Sequence, residues 1–426
     1  MCGLVTWHIW SISRAFQRNG HCLRTWRHGH SVVDKKCDIV IVGGGLSGLA
    51  LAAELAAPEF SGLSVLVLEK RASYLRDRTW SFWSPSEGAR HRYSHLERAR
   101  WGQWAVSLNA LTCLHVSQKQ TYATLDADAF YSAAQDAIAS SKNVELSLAT
   151  GVASIETQAS SQSMVVRTEQ GSVVQARWVF DARPPQHVAA NTLVQQFVGW
   201  EIHTNDDAFD SRTVQLMAFE PHVQGLHFWY ILPYSSRSAL VENTWISPAH
   251  WQPDYTQELQ LYLSKRLQIK SYSIAYKEQG ILPLDRVKPE AISNRVIPLG
   301  RGGGTLRAST GYAFLDTLSH AKGLAESLRT ELSTGDIDGA RAHWQPHTFK
   351  RLAAEHWMDA VFLNALAQDW LRAPEYFMQM FDCVDADGIV AFLSGQASLA
   401  QRIAIMRALP IAPFAKAALR QLAAQA

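Results

Sequence analysis

The sequence predicts an α/β fold in three parts: a sheet entered through a βαβ unit, an inserted antiparallel sheet, and a helical C-terminal region. Three observations carry that reading. First, the β-branched run Asp38-Ile39-Val40-Ile41-Val42 leads into Gly43-Gly44-Gly45-Leu46-Ser47-Gly48 and then an Ala- and Leu-rich stretch. Second, residues 197–244 alternate between apolar or aromatic and polar side chains, the period of a half-buried strand. Third, the pattern turns mostly helical from residue 315.

Each element follows from its residues. The run 38–42 suits a strand buried on both faces. The glycines make the turn, 49–57 is a helix stopped near Pro58, and Ser64-Val65-Leu66-Val67-Leu68-Glu69 is the second strand. A helix over 127–141 begins near Asp126, a residue type that caps helix N-termini. Residues 144–148, 163–167 and 177–181 read as strands, with Glu169-Gln170-Gly171 as a turn. Further helices are expected through residue 328 and over 350–371 and 397–409, and no internal repeat interrupts the plan.

Composition narrows the function. The chain has 426 residues, 47% hydrophobic and only 18% charged, against about 25% charged in an average domain. It carries 15 tryptophans, and aromatic content of 10% argues for a packed core rather than disorder. A net charge of +2 argues against a nucleic-acid partner bound through a global field. Five widely spaced cysteines without a CxxC pair fit a reducing, cytoplasmic compartment and neither a disulfide scaffold nor a metal site. No run of 18 apolar residues exists to span a bilayer. Residues 1–36 hold Arg14, Arg18, Arg24, Arg27, Lys35 and Lys36 against Asp34 and are expected to be a poorly ordered arm.

The strongest chemical signal is the loop after the first strand. Gly43, Gly45 and Gly48 stand at GxGxxG spacing, flanked by Leu46 and Ser47. The first glycine permits a tight turn, the second admits a pyrophosphate to the backbone, and the third lets helix and strand pack closely. Glu69 lies 21 residues beyond Gly48, where a carboxylate accepts from a ribose hydroxyl, which favours FAD or NAD. Two further elements favour FAD. Val179-Phe180-Asp181-Ala182-Arg183 can return to the cofactor, and the glycine-rich stretch 300–304, with Gly303 and Gly304, can offer backbone N–H groups to a phosphate.

Five ordered motifs then resemble the bacterial carotenoid lycopene β-cyclases: Asp77-Arg78-Thr79-Trp80-Ser81-Phe82-Trp83, Phe197-Val198-Gly199-Trp200-Glu201, Ala239-Leu240-Val241-Glu242-Asn243-Thr244, Glu278-Gln279-Gly280-Ile281-Leu282-Pro283-Leu284, and the stretch 301–314 with its Thr310-Gly311-Tyr312. The resemblance runs from about residue 37 to 409. It implies a Rossmann-type flavoprotein, like glutathione reductase or p-hydroxybenzoate hydroxylase, that uses reduced FAD with NAD(P)H as its reductant. The implied reaction is the non-redox cyclisation of the linear ends of lycopene and related acyclic carotenes. Ring closure needs an acid, a base, a dry apolar tunnel and an electron-rich neighbour for a cation. Glu242 is one candidate acid, because desolvation raises a carboxyl pKa toward neutrality, and reduced flavin, which the resemblance implies stabilises the cation or shuttles the proton, is the other; the sequence leaves the donor open between them. Lys70, Arg78, Thr310 and Gly311 join the expected cofactor site. Trp80, Trp83, Trp200, Trp229 and Tyr312 are expected beside the substrate, where tryptophan faces favour cations.

The expected division is 37–190 with 285–335 for the cofactor, 191–284 for the substrate sheet, and 336–426 for the helical part. Ala218 and Asn243 depart from the family pattern, each standing where an acid is usual. A flavin monooxygenase or other oxidoreductase acting on an apolar substrate, or a non-catalytic isoprenoid-binding protein, is the alternative. Gly300-Arg301 in place of the usual Gly-Asp pair counts against a monooxygenase. Lycopene resides in bilayers, so a peripheral membrane contact is expected. Residues 400–426, with four basic residues and no acid, are the candidate for it.

Overall fold

The computed structural model describes residues 33–88, 90–158, 163–185, 192–285, 293–333 and 344–423. The first sheet contains β1 (Lys35–Val42), β2 (Val65–Leu68), β8 (Val144–Ser147), β9 (Val152–Gln158), β10 (Ser163–Thr168), β11 (Val173–Asp181) and β17 (Val296–Pro298). Its order is β8-β2-β1-β11-β10-β9, with β17 also on β11. The strands β8, β2, β1, β11 and β17 run parallel, and β10 and β9 return antiparallel. β1 is buried throughout Ile39 to Val42, as a central strand covered on both faces requires, and only near its start does it reach solvent. Lys35 and Lys36, expected in the N-terminal arm, already pair with Val174 and Gln175. The rest of that arm, residues 1–32, lies outside the described residues.

One face of this sheet packs on α1 (Leu46–Leu55), α2 (Ala127–Ala139) and α4 (Phe314–Leu332) through Ile39, Ile41, Leu49, Phe130 and Leu324. Asp126 stands at the N-cap of α2 as expected, yet its side chain makes no cap bond. Arg76 and Arg98 take its carboxylate instead, at 3.1 and 3.2 Å, because two cations outcompete a backbone N–H.

The second sheet follows the order β16-β12-β15-β14-β13-β5-β6. Its strands are β5 (Gln103–Leu108), β6 (Leu111–Val116), β12 (Leu193–Thr204), β13 (Thr213–Pro221), β14 (Leu226–Ser235), β15 (Ser238–Pro248) and β16 (Tyr272–Pro283). All neighbours are antiparallel except β13 and β5. Residues 103–116 therefore leave the cofactor part, where the sequence reading put them, and extend the edge of the substrate sheet. A small third sheet, of β3 (Thr79–Pro85), β4 (Ala99–Trp101) and β7 (Gln120–Asp126), bridges the two. Arg76 and Arg98 fasten this junction by pairing with Glu201 of β12 at 2.8 and 2.6 Å.

One face of the second sheet is covered by the C-terminal helices and the other by α3 (Tyr255–Leu261). The C-terminal helices are α5 (Ala353–Leu366), α6 (Ala373–Asp382), α7 (Ala386–Leu393), α8 (Leu399–Ala408) and α9 (Ile411–Ala423). Tyr376, Phe377, Phe381 and Ile389 bury themselves against Trp104, Phe219 and Phe228 of the sheet.

Candidate functional site: a nucleotide cradle and a buried carboxyl pair

The glycine loop leaves β1 with Gly43 at φ 95°, a left-handed conformation that glycine adopts without strain. A methyl on Gly48 would sit 1.9 Å from the Gly43 carbonyl oxygen, so only hydrogen fits. Gly45 is the opposite case: a side chain added there meets nothing within 4 Å. That open space lies at the N-terminus of α1, which has no side-chain cap and no acid in its first turn. An uncapped, acid-free helix start facing free space suits the phosphates of a dinucleotide.

Glu69 is buried and accepts from the Gly44 N–H at 2.6 Å and from the Arg71 N–H and Nε at 2.8 and 3.1 Å. Burial opposes its ionisation, but the Arg71 and Gly44 donors outweigh that and hold its carboxyl below the usual range. Arg71, which the sequence reading missed, also donates to the Gly44 carbonyl at 3.0 Å and reaches Asp77 at 3.3 Å. The three expected cofactor-facing elements meet. The Cβ position of Gly43 is 3.4 Å from Ala182, and that of Gly300 is 2.9 Å from the Ser47 hydroxyl. Gly303 packs on His320 of α4, and Gly304 takes a left-handed φ of 82°. Asp181 is held by Arg183 at 2.7 and 2.9 Å. Lys70 is exposed, and Arg78 is half-exposed against Asp77. Gly311, at φ 72°, lies against Gln195 and Leu282 of the second sheet. Thr310 and Gly311 form a turn closed by Arg307, which Asp359 and the Phe392 and Leu393 carbonyls anchor to the C-terminal helices.

A row of residues crosses the second sheet beside this junction. Glu278 on β16, Gly199 on β12, Glu242 on β15 and Tyr230 on β14 are direct neighbours in register. Gly199 has no side chain, and its Cβ position lies 2.8 Å from the Glu242 Cγ and 3.3 Å from the Glu278 Cγ. The two carboxyl groups therefore meet across an empty position. Burial, and then the Glu278 charge, push the Glu242 carboxyl well above its usual range. Burial also pushes Glu278 up, against donors that include Thr79, Tyr276 and Arg76.

Tyrosines surround the rest of this row. The Tyr230 hydroxyl donates to Ser81 at 2.8 Å and lies 3.0 Å from the Tyr122 hydroxyl. Tyr312, from the loop before α4, faces Tyr122 at 6.5 Å between ring centres. Burial drives all three phenols far above their usual range. Trp83 stands next to them, edge-on to Trp104 and tilted against Tyr122. Trp80 points instead into the core of the first layer, against Phe130, Tyr131 and Phe314.

Two expected substrate residues are elsewhere. Trp200 and Trp229 lie on the opposite face of the sheet, with Tyr272 and Tyr262, because neighbours in a strand alternate faces. Ala218, opposite Trp229, and Asn243, next to Glu242, face that way too. Neither departure from the family pattern touches the carboxyl pair. Tyr230 is another residue the sequence reading missed: counting back from the 235–238 hairpin would pair it with Asn243, and only a bulge between Pro233 and Ser235 shifts the register so that it faces Glu242.

A cavity of about 790 Å³ opens behind the 302–304 loop, with Leu193, Leu284, Leu306, Leu363, Ala367 and Trp370 in its wall. Neither carboxyl lines it, so this cavity and the buried acids are distinct features of the junction. Gln421 of α9 also borders it.

The architecture is that of the Rossmann-type flavoproteins. A geranylgeranyl bacteriochlorophyll reductase-like protein from Thermoplasma acidophilum superposes with a TM-score of 0.57 at 13% identity, covering 91% of this chain and 98% of that one. The halogenase PltM, solved with phloroglucinol and FAD, gives 0.56 at 15% identity over 91% and 95%. PqsL from Pseudomonas aeruginosa, a probable FAD-dependent monooxygenase, gives 0.55 at 13% over 82% and 100%. Within that class the family is specific: the model described as lycopene cyclase protein matches residues 38–419, and the chain belongs to the lycopene cyclase family, an enzyme of that type. The lycopene beta-cyclase of Paracoccus sp. (strain N81106 / MBIC 01143) is 28% identical over 286 residues, 65% of this chain and 70% of that protein. The chloroplastic lycopene beta cyclase of Nicotiana tabacum is 24% identical over 324 residues, 68% of this chain but 60% of its own length.

Proposed function

We propose that this protein is a lycopene β-cyclase that closes the linear ends of lycopene into β-ionone rings by acid–base chemistry, giving γ-carotene or β-carotene. The observation that carries the reading is Glu242. It is an acid in an apolar, tyrosine-lined junction, and its burial beside Glu278 favours its protonated form. A buried acid that retains its proton can deliver it to an alkene, which needs a stronger push than water supplies.

FAD is the cofactor the cradle fits. Gly43, Gly45, Leu46, Ser47 and Gly48 would hold its pyrophosphate, and Glu69 its ribose. The 303–304 loop, Asp181, Thr310 and Gly311 would flank the remainder. Reduced FAD held there, with NAD(P)H as its reductant, would supply an electron-rich group able to stabilise a cation. Trp83 and Tyr312 would line the hydrocarbon, and the tyrosine pocket would exclude water. In this reading residues 37–190 and 285–335 bind the cofactor, apart from the two strands of 103–116 that join the substrate sheet of 191–284.

The protein would work at a bilayer from the cytoplasmic side. Among the described residues no helix is long and apolar enough to cross a membrane. Yet α9 is apolar on two sides. Ala417 packs on α5, while Ile411, Leu419 and Leu422 stand exposed beside Lys416 and Arg420. An exposed apolar stripe flanked by cations suits an anionic lipid surface.

The test is conversion by the purified, flavin-loaded protein. Lycopene should yield ringed products of unchanged mass. Products heavier by an oxygen atom would establish an oxygenase, and flavin-free protein that binds but never converts lycopene would establish a carrier. Flotation with anionic liposomes, with and without residues 411–426, tests the membrane contact.

A further inference from the structure

We propose that Glu242 and Glu278 work as one unit holding a single proton, with Glu278 the positioning residue, and that position 199 is glycine to let the pair form. The proposal rests on the cyclase reading and names how its acid is set. The geometry comes first. In an antiparallel sheet, side chains two strands apart are normally separated by the side chain of the strand between them. Here that strand presents Gly199, and any side chain there would collide with the Glu242 Cγ and crowd the Glu278 Cγ.

The surroundings differentiate the two acids. Glu278 accepts from the Tyr276 hydroxyl at 3.1 Å, and the Arg76 guanidinium lies 3.8 Å over the Tyr276 ring. Thr79 also favours its charged form. Glu242 faces Tyr230 of β14 and Glu278 of β16, and among the described residues no cation acts on it. The proton therefore rests on Glu242 and the charge on Glu278. Two buried carboxylates side by side cannot both ionise cheaply, so one of them retains a proton.

This arrangement balances the reaction. The Glu242 O–H bond breaks and its proton goes to the terminal double bond of the substrate. The electron pair of the neighbouring double bond forms the ring carbon–carbon bond. A ring C–H bond then breaks, its electrons make the new ring double bond, and its proton returns to Glu242. One proton leaves and one comes back, with no net electron transfer. While Glu242 is ionised it faces the Glu278 charge, and that repulsion favours recovery of the proton.

The test is infrared spectroscopy of the full-length protein without substrate, in which a protonated carboxyl gives its own C=O band. The wild type should show a band at neutral pH that E242Q lacks. In E278Q that band should titrate away at a pH lower by one unit or more, about a tenfold change in proton affinity. The alkaline limb of lycopene turnover should move the same way, with E278D restoring part of it. An unmoved band and limb in E278Q would overturn the proposal, as would a wild type whose Glu242 band is absent at neutral pH. The wild-type measurement needs no Glu278 variant to fold, and the infrared results hold whether or not lycopene proves to be the substrate.

Discussion

The two faces of strands β14 and β15 carry buried polar groups one residue apart, and they handle them in opposite ways. On one face, Glu242 meets Glu278 and Tyr230 where two sheets come together. On the other, Asn243 ties His227 at 2.9 Å to Glu258 at 2.7 Å. There His227 stacks on Trp245 with centroids 4.2 Å apart, and α3 closes over the network. The second face joins an amide to groups of complementary need, the Asn243 amide accepting from or donating to both neighbours. The first brings together two acids that want the same proton. One arrangement stabilises the sheet, and the other stores the capacity to give up a proton.

Substitutions at adjacent positions should separate these roles. The largest effect is expected from E242Q: turnover falls by about 10²–10⁴-fold, the usual worth of a general acid, with circular dichroism and flavin content unchanged. A loss of only a few fold would erase the contrast between the faces. Next comes Asn243→Ala, which leaves His227 and Glu258 without their shared partner. It should cost about 1–3 kcal/mol in denaturant unfolding, the penalty for stranding buried polar groups, while turnover per folded molecule is retained.

The faces should also fail at opposite ends of the pH scale. Burial beside Glu278 raises the folded Glu242 carboxyl above its ordinary value of 4.5. Its contribution to stability is complete below that value and is lost as pH rises toward the folded one. E242Q cannot ionise, so its melting temperature should gain on the wild type as the solution is made alkaline. His227 is the reverse. Burial lowers it from 6.5 to about 4, so its contribution is present above 6.5 and lost as pH falls through about 4. His227→Gln should flatten the acid limb of the melting curve in part, since His320 is also held near 4 by burial. The smallest effect is expected from Trp229→Phe. It removes part of a stack on Tyr262 with centroids 3.9 Å apart, worth about 0.5–1.5 kcal/mol, without changing turnover.

The local parts of this molecule were legible because their causes are local. A strand buried on both faces needs a β-branched run, and Gly48 must lack a side chain because the Gly43 carbonyl is 1.9 Å from where one would start. Those constraints leave a mark at fixed spacing. The helix at 127 was equally readable, although its Asp126 was claimed by distant arginines rather than by the helix end. Motif membership, by contrast, misdirected the tryptophans. Trp200 and Trp229 sit inside the right segments but on the wrong side of the sheet, since one step along a strand reverses the direction of a side chain. Helices α6, α7 and α9 were not distinguished because their apolar faces are set by what they pack against.

By itself the sequence determined the βαβ unit, the glycine loop and the family, and it put Glu242 forward as a candidate acid. These depend on residue type and on spacings of a few positions. Only the tertiary structure decided that Glu278, 36 residues further on, shares a buried row with Glu242, and that Gly199 between them keeps the row open. Register between strands distant in the chain sets those contacts, and a carboxyl's hold on its proton depends on the water and charge that register leaves around it.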